Sequence, residues 1–206
     1  MTHIFSSSPQ LDQYELPTKG EYKHLEQKTQ QSIIMLGFLA PPFTHPDYPI
    51  FKLLTTYLGN GLSSRLFVEL REKKGLAYDV SAFYPTRLDA ANFITHMGTA
   101  PENTAIALDG LRSEIARLSE ATLSTKELQG AKNKLLGQQA LGKQSNSEIA
   151  QLNGWYEALG LSRNFDRQFE SAIAQITSQQ LQQVAQTYFQ CPYVSLVGPE
   201  AAITVV

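Results

Sequence analysis

Cysteine is almost absent from this chain, since Cys191 is the only one among 206 residues, and a disulfide within the chain is excluded. Charged residues make up only 17% and the formal net charge is −2, so there is no basic excess for binding nucleic acid.

The longest apolar run, residues 33–40, is interrupted by Gly37 and is too short to span a bilayer. No basic segment followed by an apolar stretch comes after Met1, so no signal peptide is visible. The compartment stays open: cytoplasmic, or periplasmic if the protein is bacterial.

Histidine is scarce as well, and its spacing argues against a metal site in this chain. The four histidines are His3, His24, His45 and His96, and no two lie four residues apart, as they do on a typical zinc-binding helix. A glycine-rich phosphate loop and a G-x-S-x-G nucleophile motif are also missing. We therefore expect no metal ligands and no unrelated enzyme chemistry, and we interpret His96, alone in a predicted strand, as a packed or solvated side chain.

The chain does contain enough apolar material for one domain with a substantial core. Hydrophobic residues are 42% of the sequence, which suffices at this length. Residues 1–24 carry scattered proline, glycine and serine without periodicity and are interpreted as a linker or flexible arm. Residues 25–206 are predicted to form the domain.

The order of the apolar patterns predicts an α+β fold. Residues 32–39 form a continuous apolar run that favours a buried strand, and a helix entered at residues 44–47 runs to Gly59. Two further strands are predicted over residues 78–84 and 91–98, then helices, then a last strand over residues 193–197. Because strands and helices come in runs, we expect a mostly antiparallel sheet with helices packed on one face.

Four capping boxes mark the predicted helix starts. In this motif a serine or threonine side chain and a glutamate or glutamine three residues later bond each other's backbone amides. The candidates are Thr99 with Glu102, Ser124 with Glu127, Ser145 with Glu148, and Thr177 with Gln180. A polar segment over residues 142–146 is expected to bend or break the long helical region.

The most informative stretch covers residues 59–78. Its pattern predicts a turn, a short helix with Ser63 or Ser64 as N-cap, and a left-handed stop at Gly75. Three apolar side chains share one face of this helix: Leu66, Phe67 and Leu70.

Two hydrogen-bond donors flank the predicted stop. Arg71 lies near the helix C-terminus and Tyr78 opens the next strand, so together they could hold a carbonyl oxygen or an oxyanion. The residues alone leave an alternative open, in which Arg71 pairs with Glu72 or solvent and Tyr78 is half-buried.

The run from Ser64 to Tyr78, S-R-L-F-V-E-L-R-E-K-K-G-L-A-Y, resembles the signature of the C-terminal half-domains of insulinase/pitrilysin-type zinc peptidases. These include bacterial processing proteases and the mitochondrial processing peptidase. The resemblance extends over about residues 31–199. It implies that Arg71 and Tyr78 are an R/Y pair that faces a zinc site across a chamber, with Tyr78 stabilising the oxyanion and Arg71 holding a substrate carbonyl or steadying the same charge.

The resemblance also implies the surroundings of this pair. Zinc is expected in a partner half-domain or subunit that carries H-x-x-E-H, in a possible homo- or heterodimer, with an unfolded peptide as substrate. Residues 31–42 resemble the family's edge strand, so Ser32, Ile33 and Met35 are expected to bind substrate by strand addition. The alternative is a proteolytically inactive structural or interaction subunit of the same fold.

Overall fold

The computed structural model describes residues 19–89, 91–162 and 164–203. Five strands form one sheet: β1 (Glu21–Glu26), β2 (Ser32–Ala40), β3 (Asp79–Phe83), β4 (Ala91–Thr99) and β5 (Tyr193–Gly198). Seven α-helices occur in the described part of the chain: α1 (Tyr48–Gly59), α2 (Thr104–Glu120), α3 (Thr125–Leu141), α4 (Asn146–Ala158), α5 (Phe165–Gln175), α6 (Ser178–Tyr188) and α7 (Glu200–Ile203). A π-helix covers Phe67–Lys73, and a 3-10 turn covers Pro101–Asn103.

The sheet has the strand order β1-β5-β2-β4-β3. Only β1 and β5 run parallel, and the other neighbouring pairs are antiparallel. Along β2, Ile34, Leu36 and Phe38 are buried, whereas Ile33 and Met35 are only partly covered. One face of the sheet therefore meets the helices and the other is open, which confirms the predicted α+β class.

The core lies between the covered face of the sheet and the helices. Phe51 of α1 and Phe93 of β4 are fully buried. The ring of Phe189, just after α6, lies 4.9 Å from that of Phe93 and 6.0 Å from that of Phe51. This core accounts for the apolar faces of β2, β4, α1 and α6.

The expectation that residues 31–42 form an edge strand is wrong. β2 pairs with β4 along its whole length and with β5 over residues 33–37, so its backbone groups are not free to receive an added strand. The edges are β1 and β3. The physical reason is visible in composition: β2 is apolar after Ser32, whereas β1 reads EYKHLE and is exposed along its length.

β1 begins within the segment that the sequence assigned to an arm. Residues 21–24 lie in this strand and pair with β5, while residues 1–18 lie outside the described part. The boundary between arm and domain stays a prediction.

Three of the four capping boxes are present, at Ser124, Ser145 and Thr177. The fourth prediction is wrong, because α2 begins at Thr104 and the Thr99 hydroxyl donates to the carbonyl of Leu76 instead. The break over residues 142–146 is confirmed, since α3 ends at Leu141 and α4 begins at Asn146. Helix α5 has no capping box to mark its start and was not predicted.

Candidate functional site

The candidate site begins where α1 meets the sheet. A Cβ added at Gly59, the last residue of α1, would lie 1.8 Å from the backbone nitrogen of Ala82. The Ser81 hydroxyl also donates to the Gly59 carbonyl at 2.9 Å. This close approach of helix and strand fixes the point from which the short helix starts.

The short helix carries its apolar face into the core as predicted. Leu66 and Leu70 are fully buried, and Phe67 packs partly against the same core. Leu70 reaches Gly110 of α2 so closely that a Cβ there would lie 2.9 Å from Leu70 Cδ2. Over Phe67–Lys73 the helix is widened into a π-helix, a rare geometry that is frequent at functional sites.

The predicted side-chain cap of this helix is wrong. Ser64 Oγ is buried and finds no hydrogen-bond partner among the described residues. Ser63 Oγ lies 3.1 Å from Lys134 Nζ, which donates to it. The helix start is therefore held by a contact with α3 and not by a serine cap.

The segment between Arg71 and Tyr78 is fastened at several points. Gly75 has a φ of 64°, the left-handed conformation predicted for it. The Leu76 amide donates to the Leu70 carbonyl at 2.9 Å, and the Tyr78 amide donates to the Gly98 carbonyl at 2.8 Å. The buried Thr99 hydroxyl donates to the Leu76 carbonyl at 2.6 Å. The backbone that carries both donors is thus tied to the end of β4.

Arg71 is exposed, and its guanidinium contacts only the Phe67 ring, with Cζ 5.0 Å from the ring centre. No hydrogen bond or ion pair joins it to Glu72 or to any other described residue. The neighbouring charges behave differently. Arg65 bonds Glu69 and Glu114, and Lys73 bonds Glu69, so the Lys73 hydrogen bond and the Arg65 charge lower the pKa of Glu69.

Tyr78 is 59% exposed, somewhat more than the half-buried alternative expects, whereas the exposed Arg71 agrees with that alternative's pairing of the arginine with solvent. The Tyr78 hydroxyl has no hydrogen-bond partner in the described part of the chain. The side chain forms one wall of a groove of about 770 Å³ that is also lined by Ile33, Val197 and the turn between β1 and β2. The phenol therefore borders open space.

The structure brings only one of the three predicted substrate-binding residues to Tyr78. Ile33 lines the same groove. Met35 is 40% exposed on the open face but lines a separate depression. Ser32 points to the covered face, where it is buried and its hydroxyl lies 2.9 Å from that of Thr104.

His96 lies beside the site, and one of its two ring nitrogens is paired while the other, Nδ1, is buried without a partner among the described residues. Its Nε2 lies 2.8 Å from Asp79 Oδ2, as expected for a packed side chain. Within residues 19–89, 91–162 and 164–203, no three His, Cys, Asp or Glu side chains come together as a metal-binding group. None of the helices in those residues is both long and apolar enough to cross a membrane.

Sequence reasoning missed two parts of this site. The first is Thr99, whose spacing to Glu102 favours a cap. Its hydroxyl instead donates to the carbonyl of Leu76, 23 residues earlier in the chain. The second is the polar turn over residues 27–31, which carries no motif. The exposed guanidinium and phenol can donate hydrogen bonds to carbonyl oxygens, and neither is a good ligand for a metal.

Comparison with protein families supports the interpretation of this stretch. The model of the peptidase M16 inactive domain matches residues 5–135. An uncharacterised zinc protease of Streptomyces coelicolor is 28% identical over 198 residues, which are 93% of this chain and 42% of that protein. A second, from Rickettsia felis, is 30% identical over 166 residues, or 79% of this chain and 38% of that protein. The chain thus spans less than half the length of these curated relatives.

Solved structures show the same fold. A peptidase M16 inactive domain from Pseudomonas fluorescens superposes with a TM-score of 0.80 at 25% identity, covering 90% of this chain and 45% of that one. A putative zinc protease from Bordetella pertussis is similar in fold at 22% identity, with a TM-score of 0.69 over 81% of this chain and 93% of that chain.

Proposed function

Because the chain belongs to the peptidase M16 inactive-domain family, we propose that it is the substrate-binding half of a zinc metallopeptidase whose zinc lies in a partner half. The sequence has no H-x-x-E-H among its four histidines, so the zinc is assigned to a half-domain or subunit that carries this motif. When bound there, the ion would acidify the attacking water.

In this proposal Tyr78 and Arg71 supply the hydrogen bonds that the zinc half lacks. The Tyr78 hydroxyl donates to the peptide carbonyl oxygen as it becomes an oxyanion, and Arg71 holds a neighbouring substrate carbonyl or steadies the same charge. The observation that carries the proposal is that both donors are exposed, lack polar partners among the described residues, and extend from one fastened turn. A fastened backbone suits this role, since preorganised donors need no rearrangement during the reaction.

The three predicted substrate-binding residues are proposed to have different roles. Ile33 lines the groove beside Tyr78 and is proposed to contact the substrate through its side chain. Met35 lies on the same open face and is proposed as a more distant contact. Ser32 is buried against Thr104, so its proposed part is to hold the start of β2 in place.

The test uses the complex of this chain with its zinc-bearing partner, captured with this chain as bait from a lysate of the source organism. Tyr78→Phe should lower kcat by about 10²–10³ while KM changes little, since it removes one oxyanion donor. Tyr22→Phe is the matched control, because Tyr22 is also exposed, at 39%, but lies on β1 away from the groove. Chelator should abolish cleavage in both variants.

Unchanged turnover in Tyr78→Phe would rule out the oxyanion role. Capture of a partner that holds no zinc and cleaves no peptide would instead favour the structural or interaction subunit. Both outcomes are read from one preparation.

A further inference from the structure

The turn between β1 and β2 places three glutamines beside Tyr78. Its backbone is closed by its own hydrogen bonds: the Gln27 amide donates to the Gly198 carbonyl at 2.8 Å, and the Thr29 amide donates to the Gln27 carbonyl at 2.8 Å. The Thr29 hydroxyl also donates to the Gln31 carbonyl at 2.7 Å. Because these bonds use backbone groups and Thr29, the glutamine side chains are left to face the groove.

The groove is lined by both apolar and polar residues. Ile33 and Val197 are the apolar ones, and the glutamines, Lys28, Thr29 and Tyr78 carry polar groups. Its volume of about 770 Å³ falls within the range of about 300–1,000 Å³ that is typical of ligand sites.

One glutamine is held close to the candidate site. A Cβ added at Gly98 would lie 3.2 Å from Gln31 Oε1, so the Gln31 side chain crosses β4 at the residue whose carbonyl accepts from the Tyr78 amide. The end of the Gln31 side chain and the backbone of Tyr78 therefore both lie next to Gly98.

We propose that this groove is a substrate subsite that accepts a side chain with hydrogen-bond acceptors, namely Asp, Glu, Asn or Gln, and discriminates against Lys and Arg. The inference rests on the proposed function, because it assigns the groove to the peptide that Tyr78 and Arg71 would hold. The residues that determine the specificity are Gln27, Lys28, Gln30 and Gln31.

The charges of the groove residues support this preference for an acceptor side chain over Lys or Arg. Among the described residues that line the groove, Lys28 is the one charged side chain and there is no carboxylate. Lys28 forms no ion pair with a described residue. A carboxylate or amide oxygen of the substrate can accept from Lys28 and from the glutamine amides, whereas a substrate cation meets like charge and finds only neutral acceptors.

The experiment measures binding to the full chain, without the zinc half. Two peptides that differ only by a central Glu or Lys are titrated into chain with labelled glutamine side-chain amides, at low salt, and followed by NMR. The Glu peptide should move the signals of Gln27, Gln30 and Gln31 and bind about two- to fivefold more tightly than the Lys peptide, as expected for an exposed charge contact. Lys28→Glu should reverse the order.

Lys126→Glu is the matched control, since it makes the same change in net charge on α3, where Lys126 lines a different cavity. Gly98→Ala supplies a second probe, because it displaces the Gln31 amide and should weaken binding of the Glu peptide. Equal affinities, unmoved glutamine signals, or the same reversal in Lys126→Glu would overturn the subsite.

The result is independent of the oxyanion role. If the Glu peptide is preferred but Tyr78→Phe keeps full turnover in the complex, the subsite stands and the oxyanion proposal fails. If turnover falls but the two peptides bind equally, only the subsite fails.

Discussion

Two arginine–tyrosine pairs in this chain have opposite surroundings. Arg117 and Tyr57 are in direct contact, with the guanidinium donating to the phenol oxygen at 3.0 Å, and Glu127 accepts from Tyr57 at 2.8 Å and from Arg117 at 3.3 Å. No such carboxylate meets Arg71 or Tyr78 among the described residues. The first pair is satisfied within the fold, while the donors of the second have no polar partner among the described residues.

The electrostatics of the satisfied pair follow from these contacts. Burial and the bond to Glu127 raise the pKa of Tyr57 to about 12. Burial alone would raise the pKa of Glu127, but hydrogen bonds from Ser124 and Tyr57 and the charge of Arg117 lower it to about 2. The same residue types thus serve stability in one place and are proposed to serve binding in the other, and the carboxylate makes the difference.

The largest difference in stability is expected between two single variants, Tyr57→Phe and Tyr78→Phe. Tyr57→Phe removes hydrogen bonds to two charged groups and should lower the free energy of unfolding by about 1.5–3 kcal/mol. Tyr78→Phe should change it by no more than about 0.5 kcal/mol, since the phenol is exposed and unpaired. Urea unfolding of both variants measures this difference, and equal losses would show that Tyr78 has a structural partner.

Thr99→Val tests how the backbone before Tyr78 is held against the end of β4. It leaves the Leu76 carbonyl without its donor and should cost about 1–2 kcal/mol in urea unfolding. In the assembled complex turnover should fall as well, because the backbone before Tyr78 is released. Thr99→Ser keeps the hydroxyl and is the control. A stable Thr99→Val chain with full turnover would argue that the amide bond to Gly98 alone positions Tyr78.

Low pH should weaken the cluster of Glu127, Tyr57 and Arg117, whereas Arg71 and Tyr78 have no carboxylate partner among the described residues. A carboxyl group whose folded pKa is about 2, below its ordinary value of 4.5, contributes stability that is present above pH 4.5 and is lost as the pH falls toward 2. Thermal unfolding between pH 5 and about 2 should therefore show a shallower loss in Glu127→Gln than in the unchanged chain. Parallel curves would mean that other carboxylates account for the acid loss.

Arg71→Lys is expected to have the smallest effect on stability. The guanidinium contacts only the Phe67 ring, a contact worth about 0.5–1 kcal/mol at an exposed site and available in part to lysine. The change in unfolding free energy should stay within about 0.5 kcal/mol. In the assembled complex KM should rise, because lysine lacks the planar fork of donors, and an unchanged KM would argue against a contact between Arg71 and the substrate.

Much of the fold was predictable where the signal is local. The caps at Ser124, Ser145 and Thr177 and the left-handed Gly75 depend on residues within one turn of each other, and the structure has all four. The widening into a π-helix had no signal, because the same apolar spacing suits either helix.

The sequence by itself determined the α+β class and most of the apolar faces, because periodicity is a property of neighbouring residues, whereas the choice of Arg71 and Tyr78 came from resemblance to a family motif and stays a prediction. Only the tertiary structure decided that β2 is internal, that Thr99 binds the Leu76 carbonyl and that the turn over residues 27–31 borders Tyr78. Each of these depends on partners far apart in the chain, and one sequence does not say which apolar strand lies at an edge or which buried hydroxyl meets which carbonyl.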